Sequence, residues 1–175
     1  MPGNSSEREF KPLKIAVMTV SDTRTAANDT SGDTLVKLLA GAGHTLVEKR
    51  IVPDDIYRIR AVVSQWVADD DINAVITTGG TGITGRDSTP EAVKVLLDKE
   101  IAGFGEVFRA VSYEEIGTST IASRALSGVA NATFIFCLPG STGACRTAWG
   151  KIISHQLDYR TRPCNLVELM PRVLE

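Results

Sequence analysis

The residues best suited to chemistry lie in one short stretch, Thr77-Thr78-Gly79-Gly80-Thr81-Gly82, followed shortly by Arg86-Asp87. Glycines in series have no Cβ to hold a ligand off the backbone, so their amide hydrogens can converge on an anion such as a phosphate. A nearby aspartate adds a hard oxygen ligand, the type Mg²⁺ takes when it also binds substrate phosphates. Two nucleotide fingerprints fit the stretch only in part. Gly80-x-Gly82-x-x-Gly85 has dinucleotide spacing, yet Pro90 would fall inside the helix which that fingerprint opens. The acidic ribose-binding residue expected about 20 residues further on, at a strand end, is also missing. Gly80 to Gly85 has P-loop spacing, but Arg86-Asp87 stands where Lys-Ser/Thr is required. An anion-binding loop with Asp87 beside it remains. Ser88 with Glu91 can form a capping box, or Thr89 can cap a helix with Pro90 at its first position. Asp87 therefore reads equally as a carboxylate at a positive helix end or as a metal ligand.

Other strand-end segments are similar in kind. Pro139-Gly140-Ser141-Thr142-Gly143 offers two hydroxyls beside a helix start, although an isolated Pro-Gly often only turns the chain. Ser21-Asp22 and Asp54-Asp55 occupy corresponding positions and can face the same crevice, while Asp54 is also a good helix N-cap. Two Gly-rich loops suit a ligand with two anionic ends. Elsewhere the chemistry is thin. His44 and His155 read as structural or solvated, and no Gly-x-Ser-x-Gly elbow supports a nucleophilic triad. Cys137, Cys145 and Cys164 contain no CxxC pair, and with His155 they read as packed or surface groups rather than a metal site. Trp66 and Trp149 fall on apolar helix faces and read as core or as an oligomer contact.

The elements that must hold these residues alternate regularly. Lys14 to Val20, Thr45 to Val52, Asn73 to Thr78 and Thr133 to Leu138 are short β-branched or aromatic runs, which predict buried strands. Between them, Leu35, Leu38, Leu39 and Ala42, then Ile56, Ile59, Val62, Val63, Trp66 and Val67, repeat at helical spacing. A third helix begins near Thr89, and a last one carries Ala148, Trp149, Ile152, Ile153 and Leu157. Strand-helix alternation implies right-handed crossovers, a largely parallel sheet with helices on both faces, and a ligand site at the strands' carboxyl ends. Residues 100–129 are less regular, with an extra helix expected around Glu106 to Ser112, and the segment after Tyr159 has little periodicity.

Composition sets the outer bounds. With 175 residues, 43% of them hydrophobic, the chain can bury one core, which predicts a single domain over residues 13–175 behind a loose polar tail at 1–12. Its 19 basic and 21 acidic residues are interspersed and leave a net charge of −2, which argues against nucleic acid and membrane surfaces as partners. No apolar run approaches the roughly 18–20 residues of a membrane span, and Met1 to Pro12 lacks a signal-peptide core, so a cytoplasmic location is expected.

Taken together, Thr77 to Gly82, Arg86-Asp87-Ser88-Thr89-Pro90-Glu91-Ala92, Gly103-Phe104-Gly105-Glu106 and Leu138-Pro139-Gly140 resemble the MoaB/MogA family of molybdenum-cofactor biosynthesis. The Pro139 to Trp149 and Arg160 to Asn165 segments resemble its MoaB branch, and the likeness runs from about Lys14 to Asn165. The resemblance implies a three-layer α/β/α fold, a homotrimer or homohexamer, and molybdopterin binding. It also implies adenylylation of molybdopterin with Mg-ATP, or else non-catalytic binding and carriage of the pterin. It further implies that Asp87 and Asp54 hold Mg²⁺ and serve catalysis, that Gly79 to Gly82 bind phosphate, and that Glu106 and Ser141 line the substrate pocket. One departure stands out. The family's MogA-type loop commonly continues Pro-Gly-Asn/Gln-Pro, whereas this chain reads Pro139-Gly140-Ser141-Thr142-Gly143.

Overall fold

The computed structural model describes residues 8–175. Six strands form one sheet: β1 (Lys14–Val20), β2 (Thr45–Val52), β3 (Ala74–Thr78), β4 (Lys99–Glu100), β5 (Leu126–Ala130) and β6 (Thr133–Leu138), in the order β2-β1-β3-β6-β5-β4. The first four in that order are parallel, and β5 and β4 continue antiparallel. Strand side chains alternate between faces, and in this sheet both alternations are apolar. Ile15 and Val17 enter one core with Leu35 and Leu39 of α1 (Thr30–Gly41) and Phe104 and Phe108 of α4 (Ala102–Ile116). Ala16, Met18 and Val20 enter the other with Ile59, Val63 and Trp66 of α2 (Ile56–Val67) and Ala92 and Val93 of α3 (Thr89–Lys94). The three-layer architecture follows directly from this double burial. α5 (Thr142–Ala148) joins the first core and runs through a π-helical turn, Trp149–Ile153, into α6 (Ser154–Gln156). α7 (Leu166–Leu169) follows near the C-terminus.

The connection from β1 runs outward to β2 and the one from β3 runs the other way toward β4, so a crevice opens between them at the carboxyl ends of the central strands. α4 is longer than the helix expected over 106–112, and a 3₁₀ segment, Gly117–Ala122, leads from it toward β5.

Part of the segment read as a loose tail is packed. Residues 1–7 lie outside the described residues, whereas Arg8 to Pro12, although irregular, are anchored. Arg8 Nη2 pairs with Glu168 Oε1 at 2.8 Å, and the Phe10 ring lies 5.1 Å from that of His44. His44 is buried, and its Nδ1 accepts a hydrogen bond from the Leu13 amide at 3.1 Å. Burial holds the imidazole pKa below 6.5, with Asp158 opposing the shift. The sign follows from linkage: the folded protein binds that proton more weakly than the unfolded chain, so His44 contributes fully above pH 6.5 and its contribution falls as pH drops. We expect urea unfolding free energy to decline between pH 7 and 5 by no more than about 1.4 kcal/mol per pH unit from this group, and His44→Gln to remove that part of the decline.

Candidate functional site

A cleft of about 630 Å³ opens where β1, β3 and β6 end, a volume in the range of small-molecule sites. Ser21, Asp54, Thr78, Gly79, Gly80, Thr81, Gly82, Asp87, Gly140 and Ser141, all anticipated as site residues, line it. The Gly-rich loop is shaped by contacts that only glycine allows. Gly79 has φ +106°, and a Cβ there would stand 2.2 Å from the Val20 carbonyl oxygen. Gly80 has φ +68°, and its Cβ would meet Thr89 Oγ1 at 2.4 Å and Asp54 Oδ1 at 3.2 Å. Thr89 fastens the turn by donating its amide to Gly80 O and its hydroxyl to Gly79 O.

The expected row of four free amides is shorter than the sequence implied. The Gly79 amide donates to Leu138 O at 2.9 Å, extending the β3–β6 ladder by one rung. The Gly82 amide serves the Asp87 carboxylate, whose Oδ2 also accepts from the Thr84 amide at 2.9 Å and the Thr84 hydroxyl. Those bonds, the hydroxyl first, hold Asp87 below the usual carboxylate range. Among the described residues, only the Gly80 and Thr81 amides of this loop have no protein acceptor.

The two roles open for Asp54 are separated by its neighbour. Asp55 caps α2, accepting from the Tyr57 and Arg58 amides at 3.0 and 2.9 Å. The half-buried Asp54 carboxylate is left to the cleft: no side chain among the described residues donates to it, and the backbone of Asp22 is its hydrogen-bond partner. Burial, then the charge of Asp22, pushes its pKa up. Asp22 itself is a fastener rather than a free substrate contact. Its carboxylate takes two bonds from Arg86, at 2.9 and 2.8 Å, and one from the Asp54 amide at 3.1 Å, tying the loop after β1 to the Gly-rich loop. The guanidinium holds the Asp22 pKa down. Ser141 caps α5 by accepting from the Ala144 amide at 3.1 Å, which leaves its hydroxyl hydrogen available. No group of three or more His, Cys, Asp or Glu that could hold a metal ion occurs among the described residues. Any cation here would depend on one or two carboxylates completed by ligand oxygens.

The family model described as "Probable molybdopterin binding domain" matches residues 16–159. The chain belongs to this molybdenum-cofactor biosynthesis family. It is 58% identical over 157 residues to molybdenum cofactor biosynthesis protein B of Escherichia coli K12, covering 90% of this chain and 92% of that protein. A crystal structure of a molybdenum cofactor biosynthesis protein B superposes with TM-score 0.83 at 46% identity, over 86% of this chain and 94% of that one. The tungsten cofactor synthesizing protein MoaB from Pyrococcus furiosus gives TM-score 0.75 at 39% identity, over 83% and 92%. No helix among the described residues is long and apolar enough to cross a membrane.

Two corrections bear on how this molybdopterin-binding domain is read. Glu106, expected in the pocket, is exposed and does not line the cleft. Glu115, nine residues further along α4, does. At 3.6 residues per turn that separation is about two and a half turns, so the two carboxylates leave opposite faces of the helix. Nor does Ser88 form a capping box with Glu91: its side chain caps nothing, and Glu91 pairs with Arg124.

Arg124 had no motif to announce it, yet it clamps the loop. Its amide donates to Thr81 O at 3.0 Å, Nε to Gly82 O at 2.7 Å and Nη2 to Asp87 O at 2.8 Å. Three carbonyls turned inward toward one residue leave the loop's free amides turned elsewhere. Arg124→Ala should accelerate hydrogen exchange at the Asp87 and Thr89 amides, which bond to Thr84 O and Gly80 O, by about tenfold or more, as the side chain's bonds to Gly82 O and Asp87 O are lost. Arg124→Lys should restore only part of the protection, because an ammonium lacks the planar fork.

Proposed function

We propose that the cleft binds molybdopterin and Mg-ATP and transfers the adenylyl group to the pterin's terminal phosphate. One observation carries the reading: the Asp54 carboxylate, which no cationic side chain pairs among the described residues, lies against Gly80, whose amide and that of Thr81 are free. A pure anion site gains nothing from a carboxylate in that position, whereas a hard cation shared with phosphate oxygens reconciles the two. Asp54 and Asp87 fit Mg²⁺ as the carboxylate pair that would hold it, and when bound it would neutralise charge and orient phosphate oxygens.

The chain's own groups do the rest by positioning. Gly80 and Thr81 donate N–H to a phosphoryl oxygen, and the Ser141 hydroxyl at the α5 N-terminus is a further donor. An oxygen of the pterin's phosphate forms a bond to the α-phosphorus of ATP as the bond to the β-phosphate bridge breaks. Pyrophosphate leaves, and no covalent intermediate with the protein forms.

A second reading, in which the chain binds or carries the pterin without adenylylating it, draws support from Asp87, whose carboxylate is already engaged by Thr84. Incubating the protein with molybdopterin, ATP and MgCl₂ separates the two. Adenylylated pterin with pyrophosphate supports the transferase, and bound but unchanged pterin supports the carrier. The reading includes self-association as a homotrimer or homohexamer, supported by exposed Ile83, Ile121 and Tyr113.

A further inference from the structure

We propose that Glu115 recognises the aminopyrimidinone edge of the pterin, which fixes the ring against α4 and leaves the adenylyl group to the other end of the cleft. The inference rests on the reading that this cleft takes molybdopterin. It begins from an arrangement the fold does not need. Glu114 and Glu115 both occupy the last turn of α4, which contains no basic residue, so the negative end of the helix carries two acids. Glu115 forms no salt bridge among the described residues. Its one side-chain hydrogen bond among the described residues is with Thr147, whose hydroxyl donates to Oε2 at 2.7 Å. The carboxylate is thereby oriented without being neutralised, and Oε1 retains its full accepting capacity.

The surroundings suit a heterocycle. Ile116, an exposed apolar residue beside Glu115, offers a hydrophobic face, and Ser112 and Ser119 offer hydroxyls on the same wall. A carboxylate only accepts, so it complements a pair of adjacent N–H donors. A pterin ring presents such a pair in N3–H and the 2-amino group. The corresponding edge of adenine presents one donor and one acceptor, and its N1 lone pair would face the negative charge. Glu115 therefore discriminates between the two ring systems of the proposed reaction.

Fluorescence titration of the full chain with 6-hydroxymethylpterin, its 2-oxo analogue 6-hydroxymethyl-lumazine, and Mg-ATP tests this. The wild type should prefer the pterin over the lumazine by about tenfold, the scale of one lost charge-assisted pair. Glu115→Gln, which keeps the acceptor for Thr147, should abolish that preference and leave Mg-ATP affinity within about twofold. Glu115→Asp should keep the preference while weakening pterin binding, because its carboxylate retracts by one methylene. Retained preference in Glu115→Gln, or a parallel loss of ATP binding, overturns the assignment. Should molybdopterin itself bind the wild type normally while discrimination is unaffected by Glu115→Gln, only this inference fails. Should neither molybdopterin nor 6-hydroxymethylpterin bind the wild type, the reading beneath it fails as well.

Discussion

Replacing Asp54 by asparagine is expected to reduce magnesium-dependent AMP transfer by about 100- to 1,000-fold, the cost of removing one preorganised electrostatic group, and to raise thermal stability. The two effects have one cause. Burial and the Asp22 and Asp87 charges lift the Asp54 pKa, so its ionised form is disfavoured in the folded protein. A carboxylate with a raised folded pKa destabilises the native state once pH exceeds that pKa, and the neutral amide relieves this at pH 7. Magnesium alone gives a second readout. It should raise the Tm of the wild type by mass action and leave that of Asp54→Asn unchanged. A stabilised variant with undiminished transfer would remove Asp54 from the catalytic machinery, and a destabilised one would contradict the electrostatic account.

Gly79→Ala should produce the largest loss of stability, at least about 3 kcal/mol, seen as a lowered urea midpoint with an unchanged slope. The residue combines φ +106° with a Cβ position 2.2 Å from the Val20 carbonyl oxygen and 3.2 Å from the carbonyl carbon. Neither atom can rotate away, because Val20 ends β1 and its amide neighbours are held in the sheet. Gly85→Ala is the internal control. A Cβ there meets nothing within 4 Å, so its change should stay within about 0.5 kcal/mol. Equal effects at the two positions would mean that the loop repacks around Gly79 and that its close approach to β1 is not structural.

What the sequence disclosed and what it withheld divide along physical lines. β1, β2, β3 and β6 announce themselves because strands buried on both faces are continuous apolar runs. β5, Leu126-Ser127-Gly128-Val129-Ala130, has no such run, and it is a strand because its backbone pairs with β6 from Leu126 to Ala130. α4 begins at Ala102, ahead of the expected helix, because Gly103 and Gly105 depress local propensity while Phe104 and Phe108 bury in the core. The segment after Tyr159 lacks periodicity because Asn165 organises it. Its side chain caps α7 and donates to the Tyr159 and Thr161 carbonyls, bonds that leave no periodic trace.

At the site, residue types were legible and their bonding was not. The glycines, Asp54 and Asp87 stand out by spacing. That Gly79 spends its amide on Leu138, that Asp22 is taken by Arg86 64 positions away, and that Arg124 clamps the loop all depend on tertiary contacts. Glu106 was misplaced for a simpler reason: a motif gives the type of residue but not the face of the helix on which it falls.

The two margins of the sheet bear on how copies of this chain can meet. β2, at one margin, carries Glu48, Lys49 and Arg50 along its middle, and Lys49 is drawn to Asp29 and Asp33. β4, at the other, is two residues long and both are charged, with Glu100 held by Lys94 at 2.9 Å. Short or charge-studded borders refuse a visiting strand, since an added backbone would bury ions without compensation. Strand addition at either border, the route toward fibrous stacking, is thereby disfavoured, which leaves the helical flanks and loop surfaces as the faces open to contact with another copy.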